Sequence, residues 1–167
     1  LPGFTVEVLP SIDSTSSELM HRARSGLMEP VLLAAEDQTA GRGRLGKGWH
    51  SKPGQSLTFS VAMPLAPQSW SGLSLAVGVS LAHSLHPDVR LKWPNDLWLQ
   101  QRKIGGILVE TASTGEAGQG QRMVVIGVGI NVARPEVSAV AALVRVPQAQ
   151  AALRDALGRF SRMLLAQ

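Results

Sequence analysis

The chain has 167 residues, enough for one domain with a core of its own. Hydrophobic residues make up 44% and charged residues 17%, a balance that excludes a disordered chain, and the absence of cysteine excludes a disulfide framework and thiolate metal sites. A net charge of +4 and a pI of about 10.3 point to an anionic partner, either a small molecule or a nucleic acid.

Residues 4–9 alternate apolar and polar side chains, which predicts a half-buried strand ended by Pro10. Residues 11–17 form a hydroxyl-rich turn. Thr15 and Glu18 have capping-box spacing, so a helix is expected from about Ser16, with Leu19, Met20, Ala23 and Leu27 on its apolar face. The continuous apolar run 31–35 reads as a buried strand that delivers the chain into a glycine-rich loop. Residues 57–63 alternate again and predict a strand terminated by Pro64 and Pro67. Residues 70–85 are rich in Leu, Ala and Ser and predict a helix buried on most sides despite Gly78. A strand at 89–93, a turn at 94–96, extension at 97–99 and a second turn at 100–102 follow. Residues 104–111 read as a strand interrupted at its start by Gly105 and Gly106. A Gly-rich hairpin loop at 113–121 leads to a strand at 122–132. Leu153, Ala156, Leu157, Phe160, Met163 and Leu164 repeat at helix spacing and form a core stripe. With no internal repeat and no linker, the chain is expected to be a single α+β domain over 1–167, a mixed sheet flanked by helices.

The stretch 38–49 carries the strongest chemical signal. Glycine stands at 41, 43, 46 and 48, with Arg42, Arg44 and Lys47 between. So much glycine opposes regular structure and lets a backbone approach a ligand closely. Arginine adds planar forks for carboxylate or phosphate oxygens. No acid occurs between Asp37 and Asp88, while Arg42, Arg44, Lys47 and Lys52 all fall in that interval. A solvated basic loop would have the same composition. Trp49 at its end favours a ligand loop, because an indole seeks something to pack on.

Four further stretches bear polar chemistry, each with an ordinary structural alternative. Lys92-Trp93-Pro94-Asn95-Asp96 sets hard oxygen donors at a corner and suits Mg²⁺, but is also ordinary turn chemistry. Lys103 before Gly105 and Gly106 suggests a group lying against the backbone and meeting an ammonium; a surface lysine is the alternative. Gly127-Val128-Gly129-Ile130-Asn131 fits a nucleotide rim or tight sheet packing. Asp13-Ser14-Thr15-Ser16 fits a ligand at a helix N-terminus or plain helix capping. The four histidines show no metal-ligand spacing, and there is no Ser/His/Asp signature.

In order, Ser14-Thr15, QTAGRGRLGKGW at 38–49, KWPND at 92–96, KIGGILVE at 103–110 and GVGIN at 127–131 resemble the catalytic domain of biotin protein ligases, from about residue 4 to residue 132. The glycine-arginine stretch and KWPND are highly specific as a pair. The resemblance implies a mixed sheet with flanking helices, related to class II aminoacyl-tRNA synthetase catalytic domains. It implies activation of biotin with Mg-ATP to biotinyl-5′-AMP and transfer of biotin to a lysine of a biotin carboxyl carrier protein. Carried over, Ser14, Thr15, Ser16 and Gln38 bind biotin, with Ser14, Thr15 and Gln38 at its ureido end. Arg42, Gly43 and Arg44 close over the intermediate, and Gly106 and Leu108 complete the biotin site. Lys103 meets the biotin carboxylate and the α-phosphate, making Lys103, Arg42 and Arg44 the catalytic set. Arg44, Trp49, Lys92, Asn95, Asp96, Lys103 and Asn131 serve ATP, with Asn95 and Asp96 as Mg²⁺ ligands.

The sequence departs from the family pattern in three ways. Ser16 stands where the family commonly has Asn, and Lys47 replaces a common Arg. A C-terminal β-barrel domain has no counterpart here, nor does an N-terminal helix-turn-helix, so no specific DNA binding is expected. A homodimer is allowed. The lack of a signal peptide and of a membrane-spanning run fits the cytoplasm. The competing readings are a lipoate ligase, a biotin-binding regulatory module and a nucleic-acid binder.

Overall fold

The computed structural model describes residues 3–67, 70–113 and 121–131. In chain order these form β1 (Thr5–Ile12), α1 (Thr15–Arg24), β2 (Val31–Gln38), β3 (Gly41–Arg42), a 3-10 turn (Arg44–Gly46) and β4 (Gly48–Trp49). Then come β5 (Ser56–Leu65), α2 (Leu73–Leu85), β6 (Arg90–Lys92), β7 (Asp96–Leu99), β8 (Arg102–Ser113) and β9 (Arg122–Asn131). Seven strands make one mixed sheet in the order β1-β2-β5-β9-β8-β7-β6, parallel only between β1 and β2. The expected α+β mixed sheet with helices is therefore observed. The expected C-terminal helical stripe and most of the loop at 113–121 lie outside the described residues.

Each helix covers one face of the sheet. On α1, Leu19, Met20 and Ala23 pack with Val31, Leu33, Ala62, Met123 and Val125. On α2, Val77, Leu81 and Ala82 pack with Leu32, Phe59, Val61, Ile126 and Val128. The alternation of strand side chains sorts these sets onto opposite faces. Because α2 meets only one layer, it is not buried on most sides as expected: Leu75 and Val79 are 36% and 46% exposed. Gly78 has a packing reason, since a Cβ there would sit 2.5 Å from Leu91 Cδ1.

Both predicted proline stops are overrun, for one physical reason. Pro10 lies inside β1, an edge strand whose outer side needs no N–H donor. Pro64 lies inside β5, beyond the end of its pairing with β2, which begins at Val31 opposite Ala62. The helix start also differs. Ser14 is the N-cap of α1, its side chain accepting from Ser17 N, while Thr15 turns its hydroxyl to other partners. β8 runs as one strand from Arg102, but its register with β7 shifts just before Gly105, where Leu97 pairs with Gly105 and Trp98 with Lys103. A Cβ at Gly105 would lie 2.7 Å from the carbonyl oxygen of Gly129, so the glycine permits close strand approach.

Candidate functional site

The glycine-rich stretch is not a structureless loop. Gly41 pairs with Trp49 and Arg42 with Gly48, and Gly43 N donates to Lys47 O at 2.7 Å. Leu45 and Gly46, at φ 56° and 72°, reverse the chain at the tip. The resulting ribbon lies over the α1 face of the sheet and carries its arginines toward the sheet. With α1, β8 and β9 it encloses a cleft of about 500 Å³.

One end of the cleft is a hydroxyl and amide pocket at the N-terminus of α1. Thr15 N and Thr15 Oγ1 both donate to Gln38 Oε1, at 2.8 and 3.0 Å. Thr15 and Ser16 hydroxyls share Ser60 Oγ at 2.8 and 2.9 Å. Ser14, Thr15, Ser16 and Ser60 are all buried. With Gln38 Oε1 occupied twice, its amide nitrogen is the group left to donate to a ligand. The buried hydroxyls close the apolar interior with hydrogen-bonding groups in fixed positions, which suits a small polar head that both donates and accepts.

The floor is made of glycines. A Cβ at Gly127 would collide with Ser16 Oγ, and one at Gly129 would collide with the Trp49 ring. The indole thus lies flat on β9. Its Nε1 is buried and has no hydrogen-bond partner among the described residues, so it can donate to a ligand.

The other end is charged. Lys103 Nζ is 2.8 Å from Asp96 Oδ1. Asn95 donates through Nδ2 to Ile107 O at 2.8 Å and accepts through Oδ1 from Arg44 Nη1 at 3.3 Å. The first bond fixes the side chain so that Oδ1 points to the cleft. Arg42 Nη2 is 2.7 Å from Glu110 Oε1. The ribbon is therefore tethered at two points, on β8 by Arg42 and on the 93–95 corner by Arg44. Lys47, Arg42, Arg44 and Lys103 surround a space large enough for a small anion with an organic body.

The structure gathers Ser14, Thr15, Ser16, Gln38, Arg42, Gly43, Arg44, Trp49, Asn95, Asp96, Lys103, Gly106 and Leu108 around this one cleft. Two of the expected residues are not among its lining. Lys92 lies over the Trp98 ring, 4.0 Å from its centroid, and Asn131 sits at the end of β9 opposite Ser56. Sequence reasoning missed Phe59, Leu45 and Trp93, which also line the cleft, and Ser60, which lies behind the lining and holds the Thr15 and Ser16 hydroxyls. The period-two pattern of β5, which puts Thr58 and Ser60 on one face of an otherwise apolar strand, was the available signal for Ser60. Among the described residues no cluster of three or more His, Asp or Glu side chains could hold a metal. A cation here would draw one carboxylate, from Asp96, and one amide oxygen, from Asn95. That donor set fits Mg²⁺, which takes most of its ligands from water and phosphate.

The Biotin/lipoate A/B protein ligase family profile matches residues 8–131. The chain is 46% identical over 140 residues to the bifunctional ligase/repressor BirA of Escherichia coli, an alignment covering 80% of this chain and 42% of that protein. It is 38% identical over 138 residues to the biotin–[acetyl-CoA-carboxylase] ligase of Mycobacterium tuberculosis, covering 76% of this chain and 49% of that one. It thus spans between two fifths and one half of the length of these curated relatives. Among solved structures, the biotin protein ligase from Aquifex aeolicus in complex with biotin and ATP superposes with a TM-score of 0.70 at 28% identity, over 98% of this chain and 71% of that one. The Leishmania major biotin protein ligase in complex with biotinyl-5-AMP gives 0.64 at 25% identity, over 80% of this chain and 59% of that one. With the profile covering most of the chain, the chain belongs to the biotin/lipoate A/B protein ligase family.

Proposed function

We propose that this chain joins biotin to ATP, forming biotinyl-5′-AMP, and transfers the biotinyl group to a lysine of a biotin carboxyl carrier protein. The observation that carries the reading is the polarity of one cleft. A hydrogen-bonding pocket at the N-terminus of α1 stands at one end, and Lys103, Arg42 and Arg44 stand at the other. Biotin has the matching polarity, a ureido ring that donates and accepts and a carboxylate on an apolar chain. In the first step a carboxylate oxygen bonds the α-phosphorus and pyrophosphate leaves. In the second the lysine amine attacks the acyl carbon and AMP leaves. Two anions must meet in the first step, so fixed positive charge matters more than a protein nucleophile.

In this reading Ser14, Thr15, Ser16 and Gln38 hold the ureido ring, with Ser60 fixing the Thr15 and Ser16 hydroxyls. Gly106 and Leu108 flank the chain, and Lys103 bridges the carboxylate and the α-phosphate. Trp49 packs against adenine, and Asn95 and Asp96 face the nucleotide, with Mg²⁺ supplying charge neutralisation on its phosphates. Lys92 and Asn131 are assigned to the nucleotide side as well, from outside the lining of the cleft. Arg42, Gly43 and Arg44 cover the acyl-adenylate and keep it from water. Acyl-adenylate chemistry of this kind also accords with a kinship to class II aminoacyl-tRNA synthetases.

Lipoate is the nearest competitor. Its dithiolane ring offers no strong hydrogen-bonding groups, and a pocket built from Thr15, Ser16, Gln38 and Ser60 would leave its polar atoms unpaired around it. The test is mass spectrometry after incubation with Mg-ATP and either biotin or lipoate. Biotinyl-AMP alone is expected, and lipoyl-AMP as the main product would reverse the assignment.

A further inference from the structure

Arg42 ties the ribbon to the sheet, and its anchor is the carboxylate of Glu110. Glu110 lies on β8 opposite Val125, on the face covered by α1, beside the buried side chains of Val125 and Ala112. Its Oε1 takes Arg42 Nη2 at 2.7 Å. Its Oε2 is buried and accepts no hydrogen bond among the described residues. The Glu110 side chain is 23% exposed and that of Arg42 44%, so the acid is the enclosed member of the pair. A carboxylate at the rim of an apolar layer is costly to hold without a cation. Here the cation comes from the ribbon, 68 positions away in the chain.

The guanidinium has five N–H donors in a rigid plane. Glu110 engages one end of it, and Nη1 reaches Ser17 Oγ only at 3.4 Å. Donors therefore remain for an anion in the cleft that Arg42 lines. We propose that Glu110 is a positioning residue. It holds Arg42 by one end of its fork, so that the free donors already face the bound anion before the ligand arrives. An arginine set in place beforehand loses less freedom on binding, which appears as affinity. The inference rests on the reading of the cleft as a biotin site, and it concerns ground-state binding rather than the chemical step.

The test is a double-mutant cycle on the whole chain, with Glu110→Gln, Arg42→Ala and both together. The biotin Kd comes from isothermal titration and the biotin KM and kcat from pyrophosphate release. Glu110→Gln is expected to raise Kd and KM about tenfold, the scale of one charge-assisted hydrogen bond, with kcat within about twofold of wild type. In the Arg42→Ala background the same exchange should change nothing, because Glu110 acts through Arg42. An unchanged Kd for Glu110→Gln, or an undiminished effect in the Arg42→Ala background, would overturn the proposal. Should Glu110→Gln not accumulate as folded protein, Glu110→Asp is measured instead. It keeps the charge but withdraws it by one methylene, and a wild-type Kd there also overturns the proposal. A wild-type chain that binds no biotin overturns the functional reading itself, whereas wild-type binding with an indifferent Glu110 variant overturns the positioning role alone.

Discussion

Lys103 Nζ and Asp96 Oδ1 stand 2.8 Å apart on neighbouring strands, a cation and an anion paired at the charged end of the cleft. The two side chains are 46% and 27% exposed, so the pair is open enough for a ligand anion to share the ammonium. In the proposed reaction a group placed there would act where negative charge accumulates as carboxylate and phosphate meet. Lys103→Ala is expected to lower the rate of adenylate formation by about 10²–10³-fold while biotin binding survives in part. Pyrophosphate release at the wild-type rate would remove Lys103 from the catalytic set.

Arg44 holds the ribbon to the opposite wall through Asn95. Arg44→Gly deletes that tether and adds backbone freedom next to Gly43 and Gly46. The adenylate should still form, since Lys103 remains, but it should leave the cleft sooner. Free biotinyl-AMP acylates lysines without selection. Incubation with biotin, Mg-ATP and serum albumin, followed by a blot for biotin, should show more albumin labelling for the variant than for wild type. Equal labelling at equal adenylate formation would mean that the ribbon does not retain the intermediate.

Gly129 is held to glycine by the Trp49 ring lying on it. Gly129→Ala should push the indole out of place and raise the KM for ATP more than that for biotin. A loss of about 1–3 kcal/mol of stability is the accompanying cost of overpacking. Steady-state kinetics with each substrate varied in turn separates the two effects, and a selective rise in the biotin KM would place Trp49 elsewhere.

Arg22 joins Glu7 of β1 and Glu18 of α1, each at 2.7 Å, so it staples the helix to the edge strand. The hydrogen bond to Glu7, then that to Glu18, raises the guanidinium pKa above its ordinary value. A raised folded-state pKa gives stability that is complete below the unfolded value and lost only above it. Arginine never reaches that limit in water, so this group adds no pH dependence between pH 5 and pH 9, a window of about neutral conditions. Arg22→Met should cost on the order of 1 kcal/mol in urea unfolding, since the pair is partly exposed. A smaller difference between the two proteins in high salt is expected, and a salt-independent loss would point to packing of the stem instead.

The net charge of +4 should give only weak association with DNA. That association should vanish as salt rises toward physiological strength. A sequence-specific shift at that strength would add a nucleic-acid function to the one proposed.

Much of this was legible in the chain itself. Alternation at 57–63 and the apolar run at 31–35 identify β5 and β2, because side-chain period is a local property of the backbone. The glycine and arginine spacing at 41–48 marks the segment that lines the cleft for the same kind of reason: backbone freedom and charge belong to the residues, wherever the fold puts them.

The tertiary structure decided what depends on neighbours. Pro10 and Pro64 were expected to stop their strands, yet a missing N–H matters only where an adjacent strand would have used it. Alternation puts Ser60 on a face, but only the pairing of β5 with β9 sets it across from Gly127 and beneath Thr15 and Ser16. KWPND reads as one motif, yet the turn sends Asn95 and Asp96 to the cleft and leaves Lys92 stacked on Trp98. The tie between Arg42 and Glu110 leaves no trace in local pattern at all. Its two halves meet because the strand order brings the ribbon over β8, and the attraction between two charges depends on their separation in space rather than along the chain.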